Sequence, residues 1–344
     1  MAKYEIKDGV GIIPEGTTVI EPNAFFACTE LKSIVIPDSV TIIGEKAFSG
    51  CSGLTSIVIG NSVKKFGNHA FENCSSLTSI VIPASVTEPC GGEYYSGGYY
   101  TDFDSLFKGC TSLNSIRVAE GNPLYDSRDN CNAIIDTKRN ILVLGCKTTT
   151  IPKSVTKIYH WAYSDDITSV VIPEWIEEID PMAFWGCKNL ESIKVAGGNS
   201  ALDSRNDCNA IIETASNKLI CGCVSTVIPN KVKSIGNSAF HGCETLKSIV
   251  IPDSVKEVGE RAFRCCFGLT NVVIGKGVKK IGEEAFDCCE NIETVTFKGK
   301  VKGIDRKFFS SYKQVKALYT PAATMDYYKE ISWPLGNRVV ELQE

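Results

Sequence analysis

This sequence lacks the features that mark several common classes of protein. It has no run of 18 apolar residues, so we predict no transmembrane helix and no membrane insertion. Its first segment, MAKYEIKDGVGII, has no charged region followed by an apolar stretch, so we predict no signal peptide. The net charge is −4 and no run of Lys and Arg occurs, which argues against a nucleic-acid partner.

Motifs for catalysis and metal binding are absent as well. The sequence contains no glycine-rich phosphate loop, GxSxG, HExxH or paired CxxC, so we predict no cofactor, no metal site and no enzyme activity. Cys221 and Cys223 have the spacing of strand alternation rather than of a zinc site. His69 and His241 take positions that are polar in most copies of the repeat described next. A Cys–His nucleophile is the alternative that remains open.

What the sequence does contain is a repeat of 23 residues, shown by the spacing of Phe25, Phe48 and Phe71. The stretch from Leu54 to Pro83, LTSIVIGNSVKKFGNHAFENCSSLTSIVIP, holds one full unit and the start of the next. A fixed period of this length is the signature of a solenoid. In each unit LxxIxIP alternates as a strand, SVxxIG predicts a turn and a second short strand, and xxAFxxC predicts one or two helical turns.

We therefore predict a β-rich α/β fold, a horseshoe-like leucine-rich repeat solenoid with parallel sheets, short helices and about thirteen coils. We predict a single domain, 1–344, with an N-terminal cap at 1–12, repeats at 13–315 and a C-terminal cap at 316–344, where Trp333 covers the last coil. Insertions interrupt the repeats near 88–103, 119–150 and 196–227. The last two copy each other at an offset of 77 residues, and each predicts a β-hairpin around a polar turn, Thr137–Asn140 and Thr214–Asn217.

The sequence has sixteen cysteines, many of which follow the same repeat. Eight of them lie three residues after an aromatic anchor, which predicts buried thiols packed between coils: Cys28, Cys51, Cys74, Cys110, Cys187, Cys243, Cys266 and Cys289. In the hairpins Cys131 lies opposite Cys146, and Cys208 lies opposite Cys223. A disulfide in each hairpin and a pair of packed thiols are both compatible with this arrangement, and we favour the thiols.

Residues that depart from the repeat are the candidates for partner contact. Trp161, Trp175 and Trp185 take positions that are polar in most copies, hence predicted to face outward, where large aromatics mark binding patches. Packing against the insertions is the alternative explanation. A Tyr- and Gly-rich loop has the composition of an adaptable contact surface and adds Tyr94, Tyr95, Tyr99, Tyr100 and Phe103.

A second candidate surface is the outward face of the main strands. One row of this face carries Ser33, Ser56, Ser79, Ser169 and Ser248, and the next carries Val35, Val58, Val81, Val171, Val250 and Val273. The valines predict either a flat apolar strip for a protein partner or the ordinary strand preference of β-branched residues. Arg117 and Lys194 interrupt the strip beside the insertions.

Two copies of the unit, LKSIVIPDSVTIIGEKAFSGC at Leu31–Cys51 and LKSIVIPDSVKEVGERAFRCC at Leu246–Cys266, resemble the BspA-like, or Treponema-type, leucine-rich repeats. The resemblance covers nearly the whole chain and extends to the DSRDNCNAIIDTKRNILVLGC insertion and the LYTPAATMDYYK ending. Proteins of this family are typically bacterial or protist surface proteins that bind host matrix proteins or neighbouring cells. The resemblance therefore implies a secreted or surface-bound adhesin or interaction scaffold, with no catalytic residues.

The leading prediction is non-catalytic protein binding or adhesion through the sheet face and the aromatic loop. Glycan binding is one alternative, because clustered Trp and Tyr rings can stack on sugars. An intracellular interaction scaffold is the other, favoured by the missing signal peptide and the many thiols. The same missing signal leaves two locations open, a mature surface or secreted form and a cytoplasmic protein.

Overall fold

The computed structural model describes residues 3–88, 103–163, 167–304, 315–331 and 338–343. The chain divides into two units, Met1–Ile167 and Thr168–Glu344, which are treated separately below. Both are built from coils of a β-solenoid with parallel sheets, about 13 turns in all, as the repeat predicts. The prediction of one continuous domain stays a prediction.

The first unit is made mainly of strands of two and four residues. Its elements are β1 (Ile6–Lys7), β2 (Val10–Gly11), β3 (Val19–Ile20), β4 (Ser33–Ile36), β5 (Ile42–Ile43), β6 (Ser56–Ile59), β7 (Lys65–Phe66), β8 (Ser79–Ile82), α1 (Phe103–Phe107), β9 (Ser115–Val118), β10 (Tyr125–Asp126), a 3-10 turn (Arg128–Asn130), β11 (Ala133–Asp136), β12 (Ile141–Gly145) and β13 (Lys157–Ile158).

The second unit repeats this organisation. Its elements are β14 (Ser169–Ile172), β15 (Glu178–Ile179), β16 (Ser192–Val195), β17 (Leu202–Asp203), a 3-10 turn (Arg205–Asp207), β18 (Ala210–Glu213), β19 (Lys218–Gly222), β20 (Ser234–Ile235), β21 (Ser248–Ile251), β22 (Glu257–Val258), β23 (Asn271–Ile274), β24 (Lys280–Ile281), β25 (Thr294–Phe297), β26 (Gly303–Ile304), β27 (Ala317–Thr320), a 3-10 turn (Ala322–Thr324), α2 (Met325–Ile331) and β28 (Val339–Glu341).

Each regular coil adds one strand to each of two parallel sheets. The four-residue strands pair in register one repeat apart, as β4 does with β6 (Ser33 opposite Ser56), and the two-residue strands do the same, as β5 does with β7. Within β4, Ile34 and Ile36 are each 1% exposed while Val35 is 62% exposed. The alternation places the isoleucines in the core and leaves the valines and serines on the outer face.

The helix predicted at xxAFxxC forms in the copy anchored at Phe107, as α1, but in the regular coils these segments are turns closed by contacts between coils. In those coils the residue two before the anchor has a left-handed backbone, with φ of 53° at Lys46 and 58° at His69, which an α-helix does not accommodate. The anchor's N–H donates to the next coil instead of to its own turn, as from Phe25 to the Ala47 carbonyl at 2.7 Å. Neighbouring coils thus satisfy the backbone groups that a helix would satisfy internally.

The core is a ladder of aromatic rings and thiols. In the first unit the Phe25 and Phe48 ring centroids are 5.2 Å apart and nearly parallel, and Phe48 stacks on Phe71 at 5.5 Å. The Cys51 thiol donates to the Phe25 carbonyl at 2.9 Å, one coil back. The same bond recurs from Cys74, Cys110, Cys266 and Cys289. Of the eight repeat cysteines seven are buried and Cys243 is half-buried, so the prediction of inward thiols is confirmed with that one exception.

The two hairpin insertions are also confirmed. In the first, β11 pairs antiparallel with β12 and β10 adds a third strand, and in the second β18 pairs with β19 and β17 adds a third. The four hairpin cysteines Cys131, Cys146, Cys208 and Cys223 are buried thiols without disulfides, as favoured from the sequence.

The C-terminal segment of the second unit is closed by Tyr328 from α2. This ring is fully buried, stacks on Phe297 at 4.4 Å, and its hydroxyl donates to the Gly299 carbonyl at 2.8 Å. The strand β28 then pairs with β27. Trp333, expected to cover this end, lies outside the described residues.

Candidate functional site

The outer sheet face of the first unit carries three exposed valines in line. Val35, Val58 and Val81 occupy equivalent positions of β4, β6 and β8 and are 62%, 56% and 52% exposed. The next strand places the exposed Arg117 beside Val81, so a cation ends the apolar row. Single exposed valines are ordinary on protein surfaces, whereas a row on adjacent strands forms a continuous apolar strip.

The second unit carries a similar but shorter pattern. Val171 on β14 is 62% exposed and pairs with the exposed Lys194 on β16, whose ammonium lies 3.9 Å from the Asp207 carboxylate. Val250 on β21 is 57% exposed and is followed by the half-buried Val273 on β23. The apolar strip is therefore longest in the first unit.

Trp161 belongs to an aromatic group at the end of the first unit. Its ring meets His160 edge-on at 4.9 Å, and His160 in turn contacts Tyr159 at 3.8 Å. The guanidinium of Arg139, from the first hairpin, lies 5.7 Å from the Tyr159 ring. Trp161 is half-buried and its backbone is left-handed, with φ of 54°. The group thus combines a packed side with a solvent-accessible one.

Trp175 and Trp185 lie in the second unit, and both are half-buried rather than fully outward. Trp185 meets the His241 ring at 5.9 Å in an edge-on arrangement, and a Cβ placed on Gly242 would come within 3.2 Å of its indole. The equivalent residue in a regular coil, Ser49, is only 4% exposed, so this position of the repeat does not always face outward. Trp185 therefore packs on the following coil, whereas the alternative left open by the sequence was packing against the insertions.

Of the five aromatic residues predicted for the loop, the structure describes Phe103 alone. Tyr94, Tyr95, Tyr99 and Tyr100 lie outside the described residues, so their contact role stays a prediction. Phe103 starts α1, is fully buried, and packs edge-on against Tyr125 at 5.1 Å. A buried ring has no surface to offer a partner, and its predicted role in direct contact is therefore corrected to core packing.

The surroundings of His241 do not favour nucleophilic chemistry. His241, Cys221 and Cys243 line a cavity of about 10 Å³, the size of one water molecule. Burial raises the pKa of both thiols, whereas a nucleophilic cysteine needs a lowered pKa. Burial, together with Arg264 and Arg261, lowers the pKa of His241 to about 4. The group therefore holds neutral thiols beside a neutral imidazole.

The part of the chain that the structure describes offers neither a metal-binding cluster nor a membrane-spanning helix. These residues contain no group of three or more His, Cys, Asp or Glu side chains placed to hold a metal ion. They also include no helix long and apolar enough to cross a membrane.

Sequence reasoning did not single out a groove in the second unit. It has a volume of about 510 Å³ and lies between the segment 226–230, which follows the second hairpin, and the strand β21. Val227 on its rim is 74% exposed, the most exposed large apolar side chain among the described residues. The only sequence signal was that TVIP resembles a repeat strand while following an insertion.

The comparisons with known proteins agree with this architecture. Residues 11–95, 143–209 and 211–330, most of the chain, match the BspA type leucine-rich repeat region in six copies. No curated protein matches the chain. A leucine-rich cell surface protein from Faecalibacterium prausnitzii A2-165 is similar at 22% identity over 95% of this chain and 83% of that chain, with a TM-score of 0.50.

Two other solved structures are similar at comparable or lower identity. A leucine-rich repeat protein from Bacteroides ovatus ATCC 8483 shares 22% identity over 97% of this chain and 94% of that one, with a TM-score of 0.39. The pneumococcal vaccine antigen PcpA shares 15% identity over 91% and 80%, with a TM-score of 0.43. At such identities likeness to a solved structure concerns the fold alone. The repeat match, which spans more than half of the sequence, assigns the family: the chain belongs to the BspA-type leucine-rich repeat proteins.

Proposed function

We propose that this protein is a non-catalytic binding module that attaches to a protein partner, as an adhesin does, through its outer sheet face. The observation that carries the proposal is the row of Val35, Val58 and Val81, each more than half exposed on adjacent strands. Side chains on β4 and β6 are held in register by the backbone ladder, so a partner meets a preformed surface there and little ordering entropy is lost on binding.

The charge at the end of the row supports a protein partner. Arg117 borders the valine strip in the first unit, so the surface combines an apolar centre with a polar margin, the usual anatomy of a protein interface. The serine row beside the valines supplies small hydroxyl groups on the same face, with Ser56 and Ser79 exposed. This composition suits a partner whose own contact surface is flat and mixed apolar and polar.

The aromatic residues extend the proposed surface. Tyr94, Tyr95, Tyr99 and Tyr100 supply rigid amphipathic rings in a glycine-rich segment. Trp161 in the first unit and Trp175 and Trp185 in the second keep part of each ring accessible. The names of the similar proteins, a cell surface protein and a vaccine antigen, are in keeping with display outside the cell.

A binding assay on immobilised extracellular matrix proteins and on whole host cells tests the proposal. The double substitution Val35→Lys and Val58→Lys is expected to weaken binding at least about tenfold, because it places two charges in an apolar contact. The matched control is Phe26→Lys, which changes another half-exposed apolar side chain outside the strip. Equal loss in the control, or no loss in the double variant, would remove the sheet face from the proposal.

The loop is tested separately by changing Tyr94, Tyr95, Tyr99 and Tyr100 to Ser. Unchanged binding to the same matrix proteins would exclude the loop as a contact. A glycan array with the unmodified protein tests the alternative that the ligand is a glycan. Binding to sugars without binding to matrix proteins or to proteins of host cells would contradict the proposal.

A further inference from the structure

The strand β21 in the second unit is paired on one side only. It pairs in parallel with β23, Ser248 opposite Asn271, and it is the first strand of its sheet. Its other edge borders the groove of about 510 Å³ described above. The groove is lined by Asn206, Thr226, Val227, Ile228, Pro229, Asn230, Ser248, Ile249, Val250 and Pro252, none of which carries a charge.

The register identifies which backbone groups face this groove. The Gly275 N–H donates to the Ile251 carbonyl at 2.8 Å, so Ile251, and with it Ile249, directs its backbone groups towards β23. In a parallel ladder alternate residues bond to opposite neighbours, so Ser248 and Val250 direct their N–H and C=O groups into the groove. Among the described residues, these four groups take no part in a backbone hydrogen bond.

The preceding segment does not fill the groove because the hairpin holds it. Val227 donates its N–H to the Cys208 carbonyl at 3.1 Å, and the Thr226 hydroxyl donates to the Asn209 carbonyl at 2.6 Å. The Cys223 N–H donates to the same hydroxyl at 2.8 Å. Pro229 has no N–H to contribute. The insertion thus diverts a segment that resembles a repeat strand and leaves the edge of β21 open.

We propose that this open edge binds an extended, uncharged peptide segment of a partner protein, which adds to β21 as a further strand. An edge strand with alternating free donors and acceptors is complementary to an extended backbone. The uncharged lining excludes charged side chains from the buried positions, because their desolvation would go uncompensated. Alternating β-branched and small polar residues, as in the ladder strands themselves, fit such a groove.

The inference rests on the proposed binding function, but it concerns a groove in the second unit, different from the row of Val35, Val58 and Val81 in the first unit, and is tested independently. The probe is a synthetic peptide with acetylated and amidated ends that copies the uncharged residues 248–252, SIVIP, because residues 248–251 already form a strand in the same ladder. The control peptide has the same side chains and carries N-methyl groups on its four strand residues, which removes their hydrogen-bond donors. We expect the control to bind at least about tenfold more weakly.

Two pairs of variants locate the peptide. Val250→Pro removes a groove-facing N–H that the ladder with β23 does not use, and Val250→Thr retains it, so only the first is expected to weaken binding, by at least about tenfold. Val227→Lys places a charge on the groove rim and is expected to weaken binding likewise. Its control, Phe267→Lys, changes an exposed apolar side chain of the same unit outside both the groove and the valine rows, and is expected to leave affinity within about twofold.

Each outcome is decisive. Thermal unfolding checks that Val250→Pro is folded, and Val227→Lys, which changes a side chain that is 74% exposed, tests the site independently if it is not. Equal binding of the N-methylated peptide, unchanged affinity in both groove variants, or absence of binding at millimolar peptide would overturn the proposal. If the protein fails to bind the peptide but still binds matrix proteins through Val35 and Val58, the peptide site at β21 is excluded and the proposed function stands.

Discussion

The regular coils and the hairpin insertions are held together in different ways. In the coils one set of contacts recurs every repeat: Phe25 stacks on Phe48, and Cys51 donates to the Phe25 carbonyl. In the hairpins buried apolar side chains such as Ile134 and Ile212 also join the core, and polar local contacts are added to them. The guanidinium of Arg128 binds the Asp126 carboxylate and the Asn140 side chain at 2.8 Å, and Arg205 binds Asp203 and Asn217 in the same way, at 2.7 Å to Asn217.

The difference shows what repetition contributes to stability. A coil between two like coils finds a matching ring, thiol and carbonyl on each side, so apolar stacking suffices. A hairpin has no identical hairpin beside it. It is stabilised by its own Arg–Asp ion pair and Arg–Asn hydrogen bond, which together form the hairpin clamp. Gly222 lies where the second hairpin packs against the following coil, and a Cβ at this position would lie 2.2 Å from the Phe240 ring. The following predictions test this contrast, from the largest expected effect to the smallest.

Removing a ring from the ladder is expected to have the largest effect. Phe48→Ala deletes a fully buried ring that stacks on both Phe25 and Phe71, and should lower the free energy of unfolding by about 3–5 kcal/mol. Urea unfolding followed by circular dichroism measures the change. Phe26→Ala, at a position that is 51% exposed, serves as the control and should cost less than about 0.5 kcal/mol. Similar losses in both variants would contradict a ladder-based core.

Acidification is expected to destabilise the coil that follows the second hairpin through His241. Burial, with Arg264 and Arg261, lowers its folded-state pKa to about 4, while Asp287 opposes the shift. The unfolded chain therefore binds more protons below about pH 6.5, and stability falls as pH decreases. Between pH 7 and pH 5 the expected loss, after allowance for partial solvent exposure, is about 1 kcal/mol.

Urea unfolding at several pH values in the unmodified protein and in His241→Gln measures this loss. The variant cannot be protonated at that position, so the difference between the two proteins isolates the contribution of His241. If the free energy of unfolding depends on pH in the same way in both proteins, folding does not lower the pKa of His241.

Breaking one hairpin clamp is expected to cost less. Arg205→Gln removes charge-assisted hydrogen bonds to the Asp203 carboxylate, and we expect a loss of about 1–2 kcal/mol after allowance for partial exposure. Arg128→Gln should behave alike, because the two clamps share one geometry. Lys218→Gln, an exposed charge in the second hairpin, is the control. Hydrogen exchange of the hairpin amides localises the effect, and exchange unchanged by Arg205→Gln would contradict a clamp.

The smallest predicted difference compares cysteines of the two regions. Cys51 donates to a carbonyl at 2.9 Å, whereas the nearest acceptor of the buried Cys131 lies at 3.8 Å. Replacing each with Ala leaves a similar cavity, so Cys51→Ala should cost about 1 kcal/mol more than Cys131→Ala. Urea unfolding of the two variants measures the difference. Equal costs would mean that the thiol hydrogen bond contributes nothing beyond packing.

The sequence predicted most of the fold because the repeat makes each position visible many times. The inward Ile34 and Ile36, the thiol at Cys51 and the copied hairpins all follow from spacing alone. In the regular coils the predicted helical turns failed because left-handed residues such as Lys46 and hydrogen bonds between coils leave no mark in composition.

The candidate surface was less predictable than the core. The exposed valines of the first unit were anticipated from strand alternation, since side chains of a strand must face one side or the other. Phe103 was misplaced because an aromatic beside a polar loop has the same composition whether it is buried or exposed. The half-burial of Trp185 depends on Gly242 and His241 of the next coil, a contact that the repeat template does not contain.

Period and alternation therefore established the solenoid and its inward residues from the sequence alone, because they are properties of neighbours along the chain. The open edge of β21 was decided only in three dimensions. It exists because Val227 and Thr226 bond to the second hairpin, at Cys208 and Asn209, instead of to the next strand. A hydrogen bond between segments that compete for the same partner depends on their distance in space, which the order of residues does not contain.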